Sequence, residues 1–529
     1  MLLHDLILAR AQDMPGKVAL RRGDKTVDFE TLAAMIRRAA GGFVHLGLQP
    51  GDRIGIYLNK RIEGVVSYFA TGYAGGVFVP VNQTLKPAQV AHILQDCDVK
   101  VLVTTAAQAS LLAAELGQCP ALGAIVTLES LGDSSNLPER LVTRSWHDLA
   151  AGEHELRTPV RRIESDIAAI LYTSGSTGKP KGVVLTQRNM VAGALSVGSY
   201  VGNMAEDTIL AVLPFSFDAG FSQLSQGFST GSTVVLMDYL LPRDVLKAAA
   251  KYTVTGLAGV PPLWNQLVQL DWPPEVAEHM RFITNTGGAM PTATLEKLRE
   301  KLPKTRVILQ YGLTEAFRAT YLPPEELDWR PTSMGKAIPN AEVMVVRDDG
   351  TPCAPGEPGE LVQRGALVSL GYWNDPERTA QRFKPTPGQP AELPIPELSV
   401  WSGDTVVKDE DGFLYFVGRK DDMIKSSGYR ISPTELEEVI YATGLVNECA
   451  ALGIPHFELG QAVVITCHAE QPGEQTRTSI LNACRQELPN YMVPTEILFR
   501  DALPRNPNGK IDRKRLVGEL EDYFRDNNQ

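Results

Sequence analysis

Between residues 53 and 104 the chain alternates β-rich apolar runs with stretches of helical periodicity: 53–58, 77–80 and 99–104 read as strands, 63–74 and 86–96 as helices. Strand, helix and strand in that order imply a parallel sheet whose crossovers are helical. The rhythm returns further on, where helices at 189–199, 220–229 and 241–252 alternate with strands at 208–213 and 233–237 and predict a second α/β unit. From residue 340 the texture changes to short strands and Gly/Pro turns, as in DDGTPCAPGEPGELVQRG at 348–365, which predicts a smaller, more antiparallel region. Residues 385–396 read as a proline-rich surface excursion. A helix from Pro433, strands at 448–452 and 462–468 and a helix at 477–488 close the chain as a compact α+β unit of about 110 residues, an ordinary domain size. The 529 residues are therefore expected to form a large α/β part over 1–418, made of two α/β subdomains and a small β-rich one, and a small α+β part over 419–529.

The first chemical signal sits directly after the apolar run 167–171, where residues 171–182 read LYTSGSTGKPKG. Glycines let the backbone fold its N–H groups inward, the hydroxyls add donors, and Lys179 and Lys181 add mobile positive charge. That is chemistry for a polyphosphate. A plain Gly/Ser surface loop is the competing reading, but such linkers rarely carry two lysines just after a buried strand. The motif is not the common P-loop of nucleotidases, because Gly178 and Lys179 are followed by Pro180 where that loop needs Ser or Thr.

Composition narrows the class further. The net charge of −11 argues against a general nucleic-acid binder and leaves room for a local basic site. The first twenty residues place acidic side chains inside an apolar stretch, without a basic leader, and read as a helix and not a signal peptide. No segment reads as a membrane span, and a cytoplasmic monomer or homodimer is expected. The six cysteines are scattered without metal-ligand or redox spacing, so they are expected to be reduced, and no zinc site is expected.

Five further motifs follow in order: TGGA at 286–289, YGLTE at 311–315, SGDT at 402–405, GRKDDMIKSSGYRI at 418–431 and NPNGK at 506–510. With the Gly-rich loop, this series resembles the adenylate-forming superfamily of acyl-CoA synthetases, amino-acid adenylation domains and luciferases, over essentially the whole chain. The resemblance implies a large adenylation core and a mobile C-terminal domain. It also implies a two-step reaction: ATP and a carboxylate give an acyl-adenylate and pyrophosphate, and a thiol then captures the acyl group.

Site residues follow from the same resemblance. Lys510 is expected to reach the substrate carboxylate and the α-phosphate, and Thr314 to approach the α-phosphate. Thr173, Ser174, Gly175, Ser176, Thr177, Gly178 and Lys181 are expected around the β- and γ-phosphates, and Glu315 on Mg²⁺, a hard cation suited to carboxylate and phosphate oxygens. Asp404 and Arg419 correspond to ribose contacts. Tyr311 and Gly288 correspond to the two faces of adenine, with Ala289 and Gly312 beside them in their motifs. Asp421 matches the hinge about which the C-terminal domain turns, and Gly428 the loop that the turn brings to the thiol's tunnel.

The acid is less legible. In PFSFDAGFSQ at 214–223, Asp218 stands where the amino-acid-activating relatives place an aspartate against the substrate ammonium, although capping of the next helix is the alternative. Arg318 could equally meet a second carboxylate on the substrate or form a surface or interdomain salt bridge. Phe217, Trp264 and Gly287 are candidate pocket walls, the two aromatics equally readable as core. The chain also resembles AMP-forming ligases found beside exosortase A systems. That implies an aminoacyl group passed to the pantetheine thiol of an acyl-carrier protein acting in trans, with free coenzyme A and a plain carboxylic acid as the alternative. A non-enzymatic adenylate-binding protein is the remote reading, since both Lys510 and Glu315 are present.

Overall fold

The computed structural model describes residues 1–526 apart from 132–135, 174–179, 291, 391, 420–423, 432 and 505–510. Seven strands form the first sheet, in the order Val142–Ser145, Ala124–Thr127, Val99–Thr104, Arg53–Ile56, Val77–Pro80, Ile167–Thr173 and Lys181–Thr186. Its pairs are parallel except the last, which sets Thr173 opposite Lys181. The Gly-rich loop therefore joins two antiparallel strands. The helix predicted after it, Gln187–Val201, begins only beyond the second of these, where the Thr186 hydroxyl accepts from the Asn189 N–H as a cap.

A second sheet of nine strands has six parallel ones at its centre: Arg306–Tyr311, Phe282–Asn285, Gly256–Gly259, Thr208–Ala211, Thr233–Leu236 and Val18–Arg22. The sequence pattern does not reveal the last of these. The N-terminal hairpin Val18–Arg22 and Lys25–Asp28 pairs Leu20 with Val234, more than two hundred residues away, and so ties the chain's start to its second α/β unit.

One core joins Leu20 and Ile209 of the second sheet to Ile54 and Leu171 of the first through the helices Phe29–His45, Ile62–Tyr73, Gln187–Val201 and Asp218–Thr230. Ile62–Tyr73 is buried on nearly every side, as a helix held between layers must be. An aromatic cluster fixes the site-bearing helix: the Phe221 ring stacks on Phe78 at 5.1 Å and meets Tyr68 at 5.7 Å, while Phe228 meets Phe69 at 5.4 Å. Each such ring contributes about 1.5–3 kcal/mol by burial, so the orientation of Asp218–Thr230 is strongly determined.

The third sheet, built from Ala341–Val346, Gly359–Gly365, Phe383–Pro385, Leu398–Lys408 and Leu414–Arg419, is antiparallel as the Gly/Pro texture predicts. The fourth contains Ile424–Ser426, Tyr429–Ile431, Glu448–His456, Gly460–His468 and Glu496–Phe499. Its side chains alternate between faces. Ala451 and Ile465 pack under the helices Pro433–Ala442 and Glu474–Glu487, and Leu452 and Val464 pack against the helix Arg513–Leu520. The result is a large α/β N-terminal domain with a smaller C-terminal one.

Two glycines predict opposite effects. A Cβ on Gly220 would lie 1.8 Å from the Pro214 carbonyl oxygen, whereas one on Gly518, exposed in the helix Arg513–Leu520, would touch nothing among the described residues within 4 Å. Gly220→Ala is expected to lower stability by about 1–3 kcal/mol and Gly518→Ala to raise it by up to about 1 kcal/mol. Urea denaturation midpoints check both, and equal midpoints for the two variants would contradict the packing described.

Candidate active site

The site is built around a turn that no glycine announces. After the strand Arg306–Tyr311 the chain makes a short 3₁₀ segment, Thr314–Ala316, and then Phe317 adopts φ 55° with ψ −54°. The Arg318 N–H reaches back to the Ala316 carbonyl at 2.6 Å, closing a γ-turn around Phe317. This backbone costs about 1–3 kcal/mol in a residue with a Cβ, and burial holds it in place. Phe317 is fully buried, and its ring fills the space where a Cβ on Gly193 would stand, 2.5 Å from Phe317 Cδ1.

On one side of the turn lies Glu315, buried beneath the strand Lys181–Thr186. Its Oε1 accepts from Lys181 Nζ at 2.9 Å and from the Tyr372 hydroxyl at 2.6 Å, and Lys181 is 2.8 Å from the same hydroxyl. Burial pushes the Glu315 carboxyl up. The Lys181 ammonium, the Arg382 guanidinium and the hydrogen bond from Tyr372 outweigh it and hold the group down at about 2. Burial and the neighbouring carboxylate push the Tyr372 phenol up, so it stays a donor. Tyr372 was not singled out from the sequence. It comes in because Leu370 and Trp373 bond to the backbone of Val184 and Gly182, which lays this segment along the edge of the strand that carries Lys181.

On the other side lie Arg318 and Asp218, and here two expectations change together. Arg318 Nη1 is 2.7 Å from Asp218 Oδ2, and Thr314 Oγ1 donates to Asp218 Oδ1 at 3.2 Å. Asp218 is 9 % exposed and Arg318 3 %. The sequence marks Asp218 for a substrate ammonium and leaves Arg318 equally open to a substrate carboxylate or a salt bridge; in the structure the two pair with each other. Helix capping fails too. Asp218 is the first residue of its helix, Phe217 is the N-cap, and the carboxylate bonds to side chains across the cavity.

These residues face a cavity of about 1580 Å³, lined by Thr173, Phe217, Asp218, Gly287, Gly288, Ala289, Tyr311, Gly312, Thr314, Arg318, Asp404 and Gly428. Lys181 and Glu315 sit beside it. Trp264 does not line it; the ring is fully buried against Gly259, where a Cβ would lie 2.6 Å from the indole, and is core. At the end of its strand Tyr311 donates to Asp404 Oδ2 at 2.5 Å, and Arg419 is Asp404's register partner on the neighbouring strand. Asn285 donates to the Gly288 carbonyl at 2.9 Å, fixing the TGGA turn, in which Gly287 takes φ 78°. The remaining predicted residues, Ser174, Gly175, Ser176, Thr177, Gly178, Asp421 and Lys510, lie outside the described residues.

The C-terminal unit supplies part of the wall. Gly428, at φ 81°, rests on Val260, which a Cβ would meet at 3.0 Å. The Tyr429 ring meets Phe217 edge-on at 5.6 Å and stacks on Tyr491 at 3.7 Å. Gln89 of the large domain donates to Glu435 at 2.9 Å. The aromatic pair was missed because its contacts join elements far apart in sequence: Tyr429 lies within the motif at 418–431, but nothing local ties its ring to Phe217 or Tyr491.

A cavity between an α/β core and a small C-terminal domain, flanked by a hairpin of polyphosphate-binding composition, is the build of an ATP-dependent, AMP-forming ligase. The chain belongs to the AMP-binding enzyme family, which matches residues 7–373, with the family's C-terminal domain matching 435–510. It is 32 % identical over 511 residues to a long-chain-fatty-acid–CoA ligase of Escherichia coli O157:H7, covering 90 % of this chain and 86 % of that one. It is 27 % identical to tyrocidine synthase 1 of Brevibacillus parabrevis, covering 97 % of this chain and 44 % of the synthase. A double mutant of o-succinylbenzoate CoA synthetase from Bacillus subtilis, bound with its product analogue OSB-NCoA, superposes with a TM-score of 0.83 at 28 % identity, covering 97 % of each chain.

The Glu315 cluster predicts a pH signature. A carboxyl whose folded value lies below its unfolded one, near 4.5, stabilises the fold fully above 4.5, and the contribution disappears as pH falls through about 2. Wild type should therefore exceed Glu315→Gln by on the order of 3 kcal/mol at neutral pH, with the margin shrinking below pH 4.5. Denaturation curves at pH 7 and pH 3.5 measure it, and a margin that grew on acidification would be the wrong sign.

Proposed function

We propose that this ligase activates a carboxylic acid without a free ammonium group and passes it to the thiol of coenzyme A. In the first step a carboxylate oxygen attacks the α-phosphorus of ATP, forming an acyl-adenylate and releasing pyrophosphate. In the second a thiol attacks the acyl carbon, giving a thioester and AMP and releasing the thiol proton. The observation that carries the choice of acid is the 2.7 Å pair of Asp218 and Arg318. An ammonium in this cavity would find its carboxylate already neutralised, and burying a charge without a partner is costly. A neutral acyl tail makes no such demand, and the coenzyme A ligases among the relatives agree with it.

The roles assigned by resemblance remain part of this proposal. Thr173, Lys181 and the loop residues between them take the β- and γ-phosphates, and Thr314 and Lys510 act at the α-phosphate, where charge builds during transfer. Asp404 and Arg419 hold the ribose, and Tyr311 and Gly288 the adenine. Glu315 fits Mg²⁺: its carboxylate is buried and ionised, and one carboxylate plus phosphate oxygens is a usual Mg²⁺ ligand set. Bound there with ATP, the ion would neutralise phosphate charge. A boundary at 418/419 with Asp421 as hinge lets the C-terminal domain exchange Lys510 for the Gly428 loop between steps.

The second reading, an amino acid, including one with a second carboxylate, loaded onto a carrier protein of an exosortase-A-associated system, draws support from the tyrocidine synthase likeness and from the FDA pattern at Asp218. Pyrophosphate release across octanoate, decanoate, palmitate, benzoate, phenylalanine, aspartate and β-alanine separates the two. Plain acids are expected to exceed every amino acid at least about tenfold. An amino acid turning over fastest, or a carrier thiol accepted in preference to coenzyme A, would favour the second reading. Lys510→Ala should lower adenylation about 10²–10³-fold, and full activity in that variant would remove the lysine from the mechanism.

A further inference from the structure

Thr314 has one hydroxyl proton, and in this structure it is directed at Asp218 through a long hydrogen bond. A carboxylate only accepts, so across the 3.2 Å to Asp218 Oδ1 the proton points at Asp218, and Thr314 turns lone pairs elsewhere. A hydroxyl in that state cannot donate to a phosphate oxygen. The second carboxylate oxygen of Asp218 takes Nη1 of Arg318, which also donates to the Phe317 carbonyl at 3.2 Å. Arg318 Nε is buried without a hydrogen-bond partner among the described residues. Charges so placed are a poor device for stability, since apolar side chains of like volume often serve a core as well or better. A costly γ-turn and an unpaired guanidinium nitrogen call for a functional reason.

We propose that Asp218 and Arg318 are positioning residues for Thr314, the carboxylate holding the hydroxyl proton in the resting enzyme and Arg318 weakening that hold so that an α-phosphate oxygen can take the hydrogen bond over. The inference rests on the adenylation reading above, which puts Thr314 at the α-phosphate. Hydrogen bonds to an ionised acceptor are roughly twice as strong as neutral ones. Without Arg318, Asp218 would keep the hydroxyl as a full anion and would also repel the arriving phosphate. With Arg318 bound, the two acceptors compete on nearer terms. The proton stays on Thr314 throughout, and only the C–O rotor turns. The arrangement also explains why two opposite charges face a cavity meant for a neutral tail: they serve the reacting end of the acid.

The test compares wild type with Arg318→Gln, Asp218→Asn, Asp218→Asn/Arg318→Gln and Thr314→Val, using the fastest acid of the panel above. Two assays are run, pyrophosphate release from MgATP and the acid, and thioester formation from the synthetic acyl-adenylate and coenzyme A, with Tm measured for each variant. Arg318→Gln is expected to lower kcat for pyrophosphate release about tenfold with a smaller change in KM for ATP, and to slow the second assay much less, because the α-phosphate has already been transferred. The double variant should recover most of the loss, since an amide pair can present an oxygen to Thr314 and an N–H to residue 318 without net charge. A pair that is only structural would slow both assays together in step with Tm, with no recovery in the double variant; that pattern, or wild-type pyrophosphate release by Arg318→Gln, overturns the proposal. Unchanged release by Thr314→Val would instead overturn the placement of Thr314 at the α-phosphate and the relay with it. A slow Thr314→Val beside a wild-type Arg318→Gln removes the relay alone.

Discussion

Buried charge must be answered on the spot, and the site obeys this constraint on both sides of one turn. Glu315 is answered by Lys181 and Tyr372, Arg318 by Asp218. The γ-turn at Phe317 sends two side chains three residues apart to separate partners. Without it an ordinary helical turn would carry residues 315 and 318 on one face, three residues apart being neighbours there. Strain in the backbone is thus tied to charge separation in the site, and the buried Phe317 ring against Gly193 holds both.

The strand and helix rhythm was legible because hydrophobic periodicity is local. The helix predicted at 86–96 is Pro87–Asp96, and the strands at 77–80 and 99–104 stand where their patterns put them. What local pattern cannot carry is pairing at long range, so the hairpin Val18–Arg22 and Lys25–Asp28 gave no sign that it would join Thr233–Leu236. The site divides in the same way. Tyr311, Asp404, Thr314 and Glu315 could be marked because each sits in a recognisable motif, and the first three line the cavity. Tyr372 and Tyr491 lie outside those motifs, and Tyr429, though inside the one at 418–431, was not marked either, because the contacts of all three arise between elements far apart in sequence. Asp218 and Arg318 were each marked for the pocket, yet their mutual pairing depends on a turn with no glycine to announce it.

Phe217 links the two domains. It precedes Asp218 at the start of the helix that the Phe221 cluster holds rigid, and its ring is the surface on which Tyr429 of the C-terminal domain rests. Aromatic contacts of this kind contribute about 0.5–1.5 kcal/mol each beyond burial, enough to bias a domain arrangement and too little to lock it. Under the proposed two-step reaction, a contact of that size would let each domain arrangement be left as readily as it is entered.

The Asp218–Arg318 pair bears on selectivity as well as on positioning. For an ammonium-bearing acid to bind at Asp218, Arg318 would have to withdraw, and its Nη1 would lose both Asp218 and the geometry that also gives it the Phe317 carbonyl. Stranding a buried guanidinium in that way typically costs about 3–5 kcal/mol, which corresponds to roughly 10²- to several-thousandfold discrimination against the amine. A zwitterionic acid with a second carboxylate escapes part of this penalty, because it can answer Asp218 and Arg318 at once. On the proposed reading, the same pair would therefore disfavour dicarboxylic amino acids less than simple ones, and charge balance would give the order plain acid, dicarboxylic amino acid, simple amino acid.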